Sequence, residues 1–193
     1  MKKSGMLLLC LLLALSGCGK AERSHTVQEN YAAVKTAELT AEITCHLPAE
    51  SRVFQVSCAY GGDGESEITV TAPEELSGLR AKVHGNDLSL SYDDLVLPAG
   101  TPSAVSAANC LPWLMRAAAE GYVLEESRET LGQTPCLRIA FDTTGKDGAK
   151  VLCTIWFDQD TLAPVYGEFS VEDQLRLTVR IIQFSAVLDE TAE

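Results

Sequence analysis

Three histidines, His25, His46 and His84, are the first candidates for acid–base chemistry or metal binding. None lies at metal-ligand spacing from another histidine or from a cysteine. Cys45 is adjacent to His46, but consecutive residues of a strand point to opposite faces of the sheet, so these two cannot form a nucleophile–base pair. The sequence also lacks the G-x-S-x-G, H-E-x-x-H and P-loop motifs. We therefore expect a protein that is not an enzyme and has no metal ion or cofactor.

Two groups of carboxylates lie in predicted turns. One consists of Asp63, Glu65 and Glu67, and the other of Asp93 and Asp94. We interpret both groups as solvated surface charge. A weak calcium site is the alternative.

The cysteine with the most specific surroundings is Cys18. The chain begins with two lysines and an unbroken apolar run, Met6 to Leu15, which is the layout of a secretory signal peptide. The run is shorter than the roughly 20 residues of a transmembrane helix. The tetrad Leu15-Ser16-Gly17-Cys18 resembles the bacterial lipobox, which implies cleavage before Cys18 and attachment of a diacylglyceryl group to it. An ordinary signal peptide with a chance cysteine is the alternative.

This interpretation predicts three regions. Residues 1–17 are a lipoprotein signal peptide, residues 18–33 a lipidated N-terminus with a flexible polar tether, and residues 34–193 one β domain. Two or three acyl chains, palmitate among them, would hold the protein firmly, because stable anchoring takes about two such chains. We expect attachment to the extracytoplasmic face of the cell membrane, or to the outer membrane in a Gram-negative cell.

The charge of the chain excludes one class of partner. There are 15 basic and 27 acidic residues, which give a net charge of −12. Nucleic-acid binding requires clustered lysine and arginine, so we expect no nucleic-acid partner. The same charge disfavours adsorption on anionic lipid, so the anchor should make the membrane contact.

An odd number of cysteines follows Cys18 in the chain. They are Cys45, Cys58, Cys110, Cys136 and Cys153. At least one must be free if the others form disulfides. We expect buried free thiols, since cysteine is a good small core residue. A Cys45–Cys58 or a Cys136–Cys153 bridge is the alternative.

Alternation of apolar and polar residues dominates the rest of the chain. In the stretch Ala37–Leu47 every second residue, from Leu39 onward, is apolar. The same pattern recurs up to Tyr92 and resumes after Tyr122, which predicts about ten antiparallel strands, each with one apolar face. A loop is expected at residues 98–102.

One stretch, Ser103–Glu120, has the periodicity of a helix. Asn109 is expected as its N-cap, and Gly121 marks its end. The apolar stripe at i, i+3, i+4 and i+7 consists of Leu111, Leu114, Met115 and Ala118.

One helix of this length cannot cover ten strands. The pattern therefore predicts a mainly β protein with minor α, in which a curved antiparallel sheet carries the helix on its concave face. The enclosed space is either a filled core or an apolar ligand pocket. Its predicted lining is Leu39, Ile43, Phe54, Val56, Ile68, Val70, Leu79, Val83, Leu88, Leu90, Tyr92, Trp113, Leu114 and Met115.

A family resemblance rests on two segments within this pattern, Pro73–Leu79 (PEELSGL) and Trp156–Pro164 (WFDQDTLAP). Together with the strand–helix–strand order of Ala33–Val187, they resemble the LolA/LolB-type lipoprotein carriers and, more closely, uncharacterised LolA-like lipoproteins of Gram-positive bacteria. The resemblance implies an unclosed antiparallel half-barrel, with helices on its concave face, that binds lipid or acyl chains.

The chain also departs from that family. LolA carries no lipobox, so the predicted anchor is closer to LolB or to the mycobacterial LppX-like carriers. The long N-terminal helix of the family is predicted to be shortened to Val27–Lys35 or absent.

These observations favour a non-enzymatic, membrane-anchored protein that binds a lipid or another hydrophobic ligand in a carrier or sorting role. The alternative is an envelope sensor or regulatory protein-interaction module of the same fold, with a membrane protein as its partner.

Overall fold

A computed structural model describes residues 23–85, 87–100, 104–144 and 150–189. The predicted signal peptide, Cys18 and the first residues of the predicted tether lie outside these ranges. No helix in the described part of the chain is both long and apolar enough to cross a membrane.

Within those ranges, eleven strands form one sheet in the order β6-β5-β4-β3-β2-β1-β11-β10-β9-β8-β7. The strands are β1 (Val34–His46), β2 (Ser51–Gly61), β3 (Glu65–Ala72), β4 (Arg80–His84), β5 (Asp87–Tyr92), β6 (Leu95–Gly100), β7 (Tyr122–Leu131), β8 (Thr134–Asp142), β9 (Val151–Asp158), β10 (Pro164–Val171) and β11 (Gln174–Leu188). Every neighbouring pair is antiparallel, and β1 pairs with β11. Because β6 and β7 are edges, the curved sheet is an unclosed half-barrel, as predicted.

The additional strand is β6, part of which was expected to be loop. Pro98 lies inside it and pairs with Ser89 of β5. A proline lacks the backbone N–H that an inner strand needs, but an edge strand tolerates it. The predicted loop at residues 98–102 is therefore wrong for residues 98–100.

Two α-helices and one short 3₁₀ turn, Glu74–Leu76, accompany the sheet in the described ranges. Helix α1 covers Arg23–Ala32, and helix α2 covers Cys110–Glu120 and contacts β8 and β9. The predicted apolar stripe of α2 is buried throughout. A Cβ atom on Gly167 of β10 would lie 2.8 Å from Cδ1 of Leu114, so this glycine allows the helix to approach the sheet.

The start of α2 agrees with the predicted N-cap position but lies later than the start of the predicted helical stretch. The helix begins at Cys110, and residues 104–109 of the predicted helical stretch are not helical; Ser103 lies outside the described residues. Asn109 occupies the N-cap position, but its side chain bonds backward instead of capping the helix. Its Oδ1 accepts a hydrogen bond from the Ser106 N–H at 2.7 Å, and its Nδ2 donates to the Ala104 carbonyl at 3.1 Å. Asn109 therefore holds the connection that leads into the helix.

Helix α1 replaces most of the predicted tether, so the prediction of a flexible segment is wrong for residues 23–32. Val27 and Tyr31, one turn apart, are buried. The Tyr31 ring lies 5.4 Å from the Phe157 ring and 6.2 Å from the Phe184 ring, centroid to centroid. Two apolar residues at i and i+4 are enough to bury one face of this polar helix.

A side chain from β7 stabilises the beginning of α1. The Glu126 carboxylate accepts hydrogen bonds from the N–H groups of Arg23, at 3.3 Å, and Ser24, at 2.9 Å. The first N–H groups of a helix have no intrahelical partner, and negative charge is favourable there. The edge strand β7 therefore holds one end of α1 in place.

The turn after β9 holds the other end. The Asp158 carboxylate accepts three hydrogen bonds, from the Asp160 N–H and from the N–H and hydroxyl of Thr161. These bonds lower the pKa of Asp158. The turn presents the Leu162 carbonyl, to which the Tyr31 hydroxyl donates at 3.0 Å.

All five cysteines of the described residues are free thiols. The register explains why neither alternative bridge forms: Cys45 is opposite Arg52, and Cys136 is opposite Asp158. Burial raises the pKa of the Cys58 thiol to about 12 and also raises that of Cys153.

Replacement of Glu126 by alanine should lower the free energy of unfolding by about 1 kcal/mol, the usual effect of losing an N-terminal helix cap. Urea denaturation measures the change. The matched control is Glu75→Ala, at an exposed residue of the 3₁₀ turn. Equal effects of the two substitutions would contradict the capping role.

Alkaline pH should destabilise the protein in the reduced state. An unfolded thiol ionises near pH 8.5, whereas folded Cys58 stays protonated up to about pH 12. Above pH 8.5 the unfolded state therefore binds fewer protons, and stability falls as pH rises. Between pH 9 and 11, Cys58→Ala should make this decline shallower by about 1.4 kcal/mol per pH unit. Ser57→Ala is the control, and identical slopes for the two variants would refute this explanation.

Candidate ligand-binding site

The predicted lining residues lie together on the concave side of the sheet. The ten that belong to strands share this face, as the cross-strand register shows. Seven of the fourteen are buried core: Leu39, Ile43, Val56, Ile68, Val83, Leu114 and Met115. Six are half-buried, namely Phe54, Val70, Leu79, Leu88, Leu90 and Trp113, and Tyr92 is exposed. The space beneath the helices is thus packed, and the open apolar surface lies to one side of it.

Exposure increases along one row of directly opposed residues that crosses the concave face. The row runs from β1 to β6 as Leu39, Cys58, Ile68, Ala81, Leu90 and Leu97. Leu39 is 2% exposed and Ala81 5%, whereas Leu97 is 54% exposed. The cause is the position of α2, which contacts β8 and β9 on the other half of the sheet.

This arrangement leaves an apolar surface on the concave side of β5 and β6. We call it the open flank, and it consists of Leu88, Leu90, Tyr92, Leu95 and Leu97. Tyr92 is opposite Leu95, and Leu90 is opposite Leu97, so the members of each pair share a face. Soluble proteins rarely leave adjacent large apolar side chains exposed without a binding role.

A cleft of about 370 Å³ lies between α1, α2 and the ends of β1–β4. We call it the inner cleft. It is lined by Tyr31, Ala32, Val34, Tyr60, Gly62, Gly64, Ser66, Val83, Gly85, Pro112, Arg116, Ala119 and Glu120. Its volume falls within the range of small-molecule sites.

The inner cleft and the open flank are neighbours. Val83 lines the cleft and is directly opposite Leu88 of the flank. A ligand chain can therefore pass from the cleft onto β5 without leaving the concave face.

A second, wider cleft of about 830 Å³ adjoins the first. This outer cleft shares Ala32, Val34, Tyr60, Gly62, Ser66 and Val83 with the inner one. Among its other lining residues, Glu38, Ala59, Glu67 and Lys82 are directly opposed in one row, offset by one position from the concave row, and therefore lie on the convex face. The outer cleft therefore opens on the convex side of the sheet and meets the inner cleft only at the shared rim.

The β2–β3 hairpin shapes the rim of both clefts through a close backbone approach. The Gly62 N–H donates to the Lys35 carbonyl at 2.9 Å. A Cβ atom at Gly62 would lie 2.3 Å from the Val34 carbonyl oxygen, so only glycine fits there. The hairpin can therefore fold against the start of β1.

The sequence-based prediction of the site missed its polar side chains. Among the fourteen predicted residues, only Val83 lines the inner cleft. Tyr60, Arg116 and Glu120 were not predicted, although the last two are one turn apart and lie off the apolar stripe of α2. That spacing is the signal that could have indicated them.

The histidines and acidic turns form no convergent site. His25 pairs with Glu29 on α1, and His84 pairs with Glu65 at 2.8 Å. His46 contacts the Thr178 hydroxyl at 3.3 Å. In the part of the chain that the structure describes, no three histidine, cysteine or carboxylate side chains are grouped as a metal site requires.

Comparisons with known proteins identify the fold. No family model matches the sequence, and no curated protein matches it. An uncharacterised conserved protein from Thermus thermophilus is 8% identical, with a TM-score of 0.51, over 89% of this chain and 90% of its own. A DUF1329 family protein from Desulfovibrio piger is 11% identical, with a TM-score of 0.50, over 89% of this chain and 93% of its own.

A LolA superfamily protein from Nitrosomonas europaea is also similar, at 12% identity and a TM-score of 0.46, over 86% of this chain and 94% of its own. The similar solved structures thus include a protein of the LolA superfamily. At these identities the shared property is the fold, an unclosed antiparallel half-barrel with helices on its concave face.

Proposed function

We propose that this protein is a membrane-anchored extracytoplasmic lipoprotein that binds a lipid or another hydrophobic ligand on its concave face without catalysing a reaction. The observation that carries the proposal is the open flank, which continues the apolar face of the sheet beyond the cover of the helices. A purely structural sheet would gain stability by covering these side chains.

The energetics fit an acyl chain. Each methylene group transferred from water to an apolar surface contributes about 0.8 kcal/mol. A chain along the flank would cover Leu90 and Leu97 and reach the inner cleft at Val83. Binding along the open flank does not require α2 to move. The helix therefore keeps the hydrogen bond that its Trp113 indole donates to the Thr143 hydroxyl at 3.0 Å.

The proposed anchor would place the site near a membrane. Four residues, 19–22, separate Cys18 from the first residue of α1. The five steps from Cys18 to Arg23 span at most about 17 Å, at about 3.5 Å per residue. A domain attached so closely to its lipid can exchange an apolar ligand with the same membrane surface.

The second candidate is a sensor or protein-interaction module. It is favoured by the edge strand β6, where Val96 on the convex face is also exposed. An extended segment of a partner could add to this edge by backbone hydrogen bonds. The carrier requires the concave face of β6, which includes Leu97. The interaction module requires the edge of β6 and its convex face, which includes Val96.

Leu97→Asp should weaken binding of a fluorescent fatty acid at least about tenfold, because it removes an apolar contact and adds a charge on the concave face. Val96→Asp is the matched control, since Val96 is 62% exposed and Leu97 54%, on adjacent positions of opposite faces. Fluorescence titration measures both. Equal affinities for the two variants, or no binding by the unmodified protein, would refute the carrier proposal.

Cys18→Ser should abolish membrane attachment. The unmodified protein should partition into the detergent phase of a Triton X-114 extract and yield a lipidated N-terminal peptide that begins at Cys18. Cys10→Ser, within the apolar run, is the control and should behave normally. Detergent partitioning that persists in the Cys18 variant would contradict the proposed anchor.

A further inference from the structure

Helix α2 places one positive and one negative side chain in the inner cleft. Arg116 and Glu120 are one turn apart, and both line the cleft beside Tyr60. Residues at this spacing usually pair on a helix surface. Within the described ranges, however, neither side chain has an oppositely charged group within 4 Å. Both charges are therefore available to a ligand.

The Arg116 guanidinium is held at the cleft by an aromatic contact. Its central carbon lies 5.7 Å from the centroid of the Trp113 ring, a cation–π distance. Trp113 is itself fixed by its hydrogen bond to Thr143. Arg116 thus needs little ordering when it binds an anion, and its fork of N–H donors matches phosphate geometry.

Tyr60 provides a second donor in the same place. Burial raises the pKa of its phenol, and the positive charge of Arg116 opposes that shift. The hydroxyl therefore remains protonated at neutral pH and can donate a hydrogen bond to an anion that Arg116 also contacts.

The rest of the site disfavours a ligand that carries only negative charge. Ala32 is the last residue of α1, where helix carbonyls carry partial negative charge. Glu120 adds a full negative charge. A positive group fits this side of the site.

From this charge arrangement we infer that the ligand is a phospholipid with a zwitterionic phosphate–ammonium head group. Arg116 and Tyr60 bind the phosphate, the ammonium group lies towards Glu120 and the C-terminal end of α1, and the acyl chain passes Val83 onto the open flank. The inference rests on the proposed function and specifies the chemical class of its ligand.

Three soluble probes with the same acyl chain test the inference: lysophosphatidylethanolamine, lysophosphatidylglycerol and a monoacylglycerol. The unmodified protein should bind the zwitterionic probe about fivefold more tightly than either of the others. Arg116→Gln should weaken both phospholipids about fivefold and leave the monoacylglycerol unchanged. Glu120→Gln should weaken only the zwitterionic probe and improve binding of the anionic one.

The controls are Arg176→Gln on β11 and Glu75→Gln on the 3₁₀ turn, both exposed and remote from the clefts. If all three probes bind equally and the cleft variants behave like these controls, the head-group inference is wrong while the proposed function stands. Tightest binding of lysophosphatidylglycerol would also overturn the inference. If none of the probes binds, the proposed function fails together with the inference.

Discussion

The structure depends on a mismatch between the apolar area of the sheet and the helical surface that can cover it. Most of the eleven described strands present one apolar face, whereas the two α-helices in the same ranges have ten and eleven residues. Curvature lets the sheet cover part of its own face, and the helices cover the half around β8 and β9. The half at β5 and β6 remains open, and Leu97 is more than half exposed there. The open flank is thus a direct consequence of how the chain divides its residues between strand and helix.

A few specific contacts hold the two helices over the buried half of the sheet. The Glu126 carboxylate fixes the beginning of α1, the Tyr31 hydroxyl fixes its end, and Gly167 lets α2 approach the sheet. Most of the remaining contact is apolar packing, which is not directional. The polar contacts therefore determine how far the two helices extend over the sheet. This extent sets the position of the clefts.

Sequence patterns predicted the sheet because alternation reports directly which face of a strand is buried. They predicted α2 because its stripe, which includes Leu114 and Met115, has the helical period. They left α1 undecided between a short helix at Val27–Lys35 and none, because only Val27 and Tyr31 mark its buried face and the hydrogen bonds that hold it come from residues about 100 or more positions away. The site was predicted only on its apolar side. Arg116 and Glu120 acquire meaning through their position opposite Tyr60, which depends on tertiary structure.

The central claim is that an apolar ligand occupies the concave face along β5 and β6 and enters the inner cleft. Photo-cross-linking with a diazirine-labelled fatty acid, followed by peptide mapping, tests it most directly. We expect labelled peptides that contain Leu88–Leu97 together with the region of Val83, and no labelling of convex positions such as Val53. Labelling that is absent, or that is spread equally over both faces of the sheet, would contradict the account.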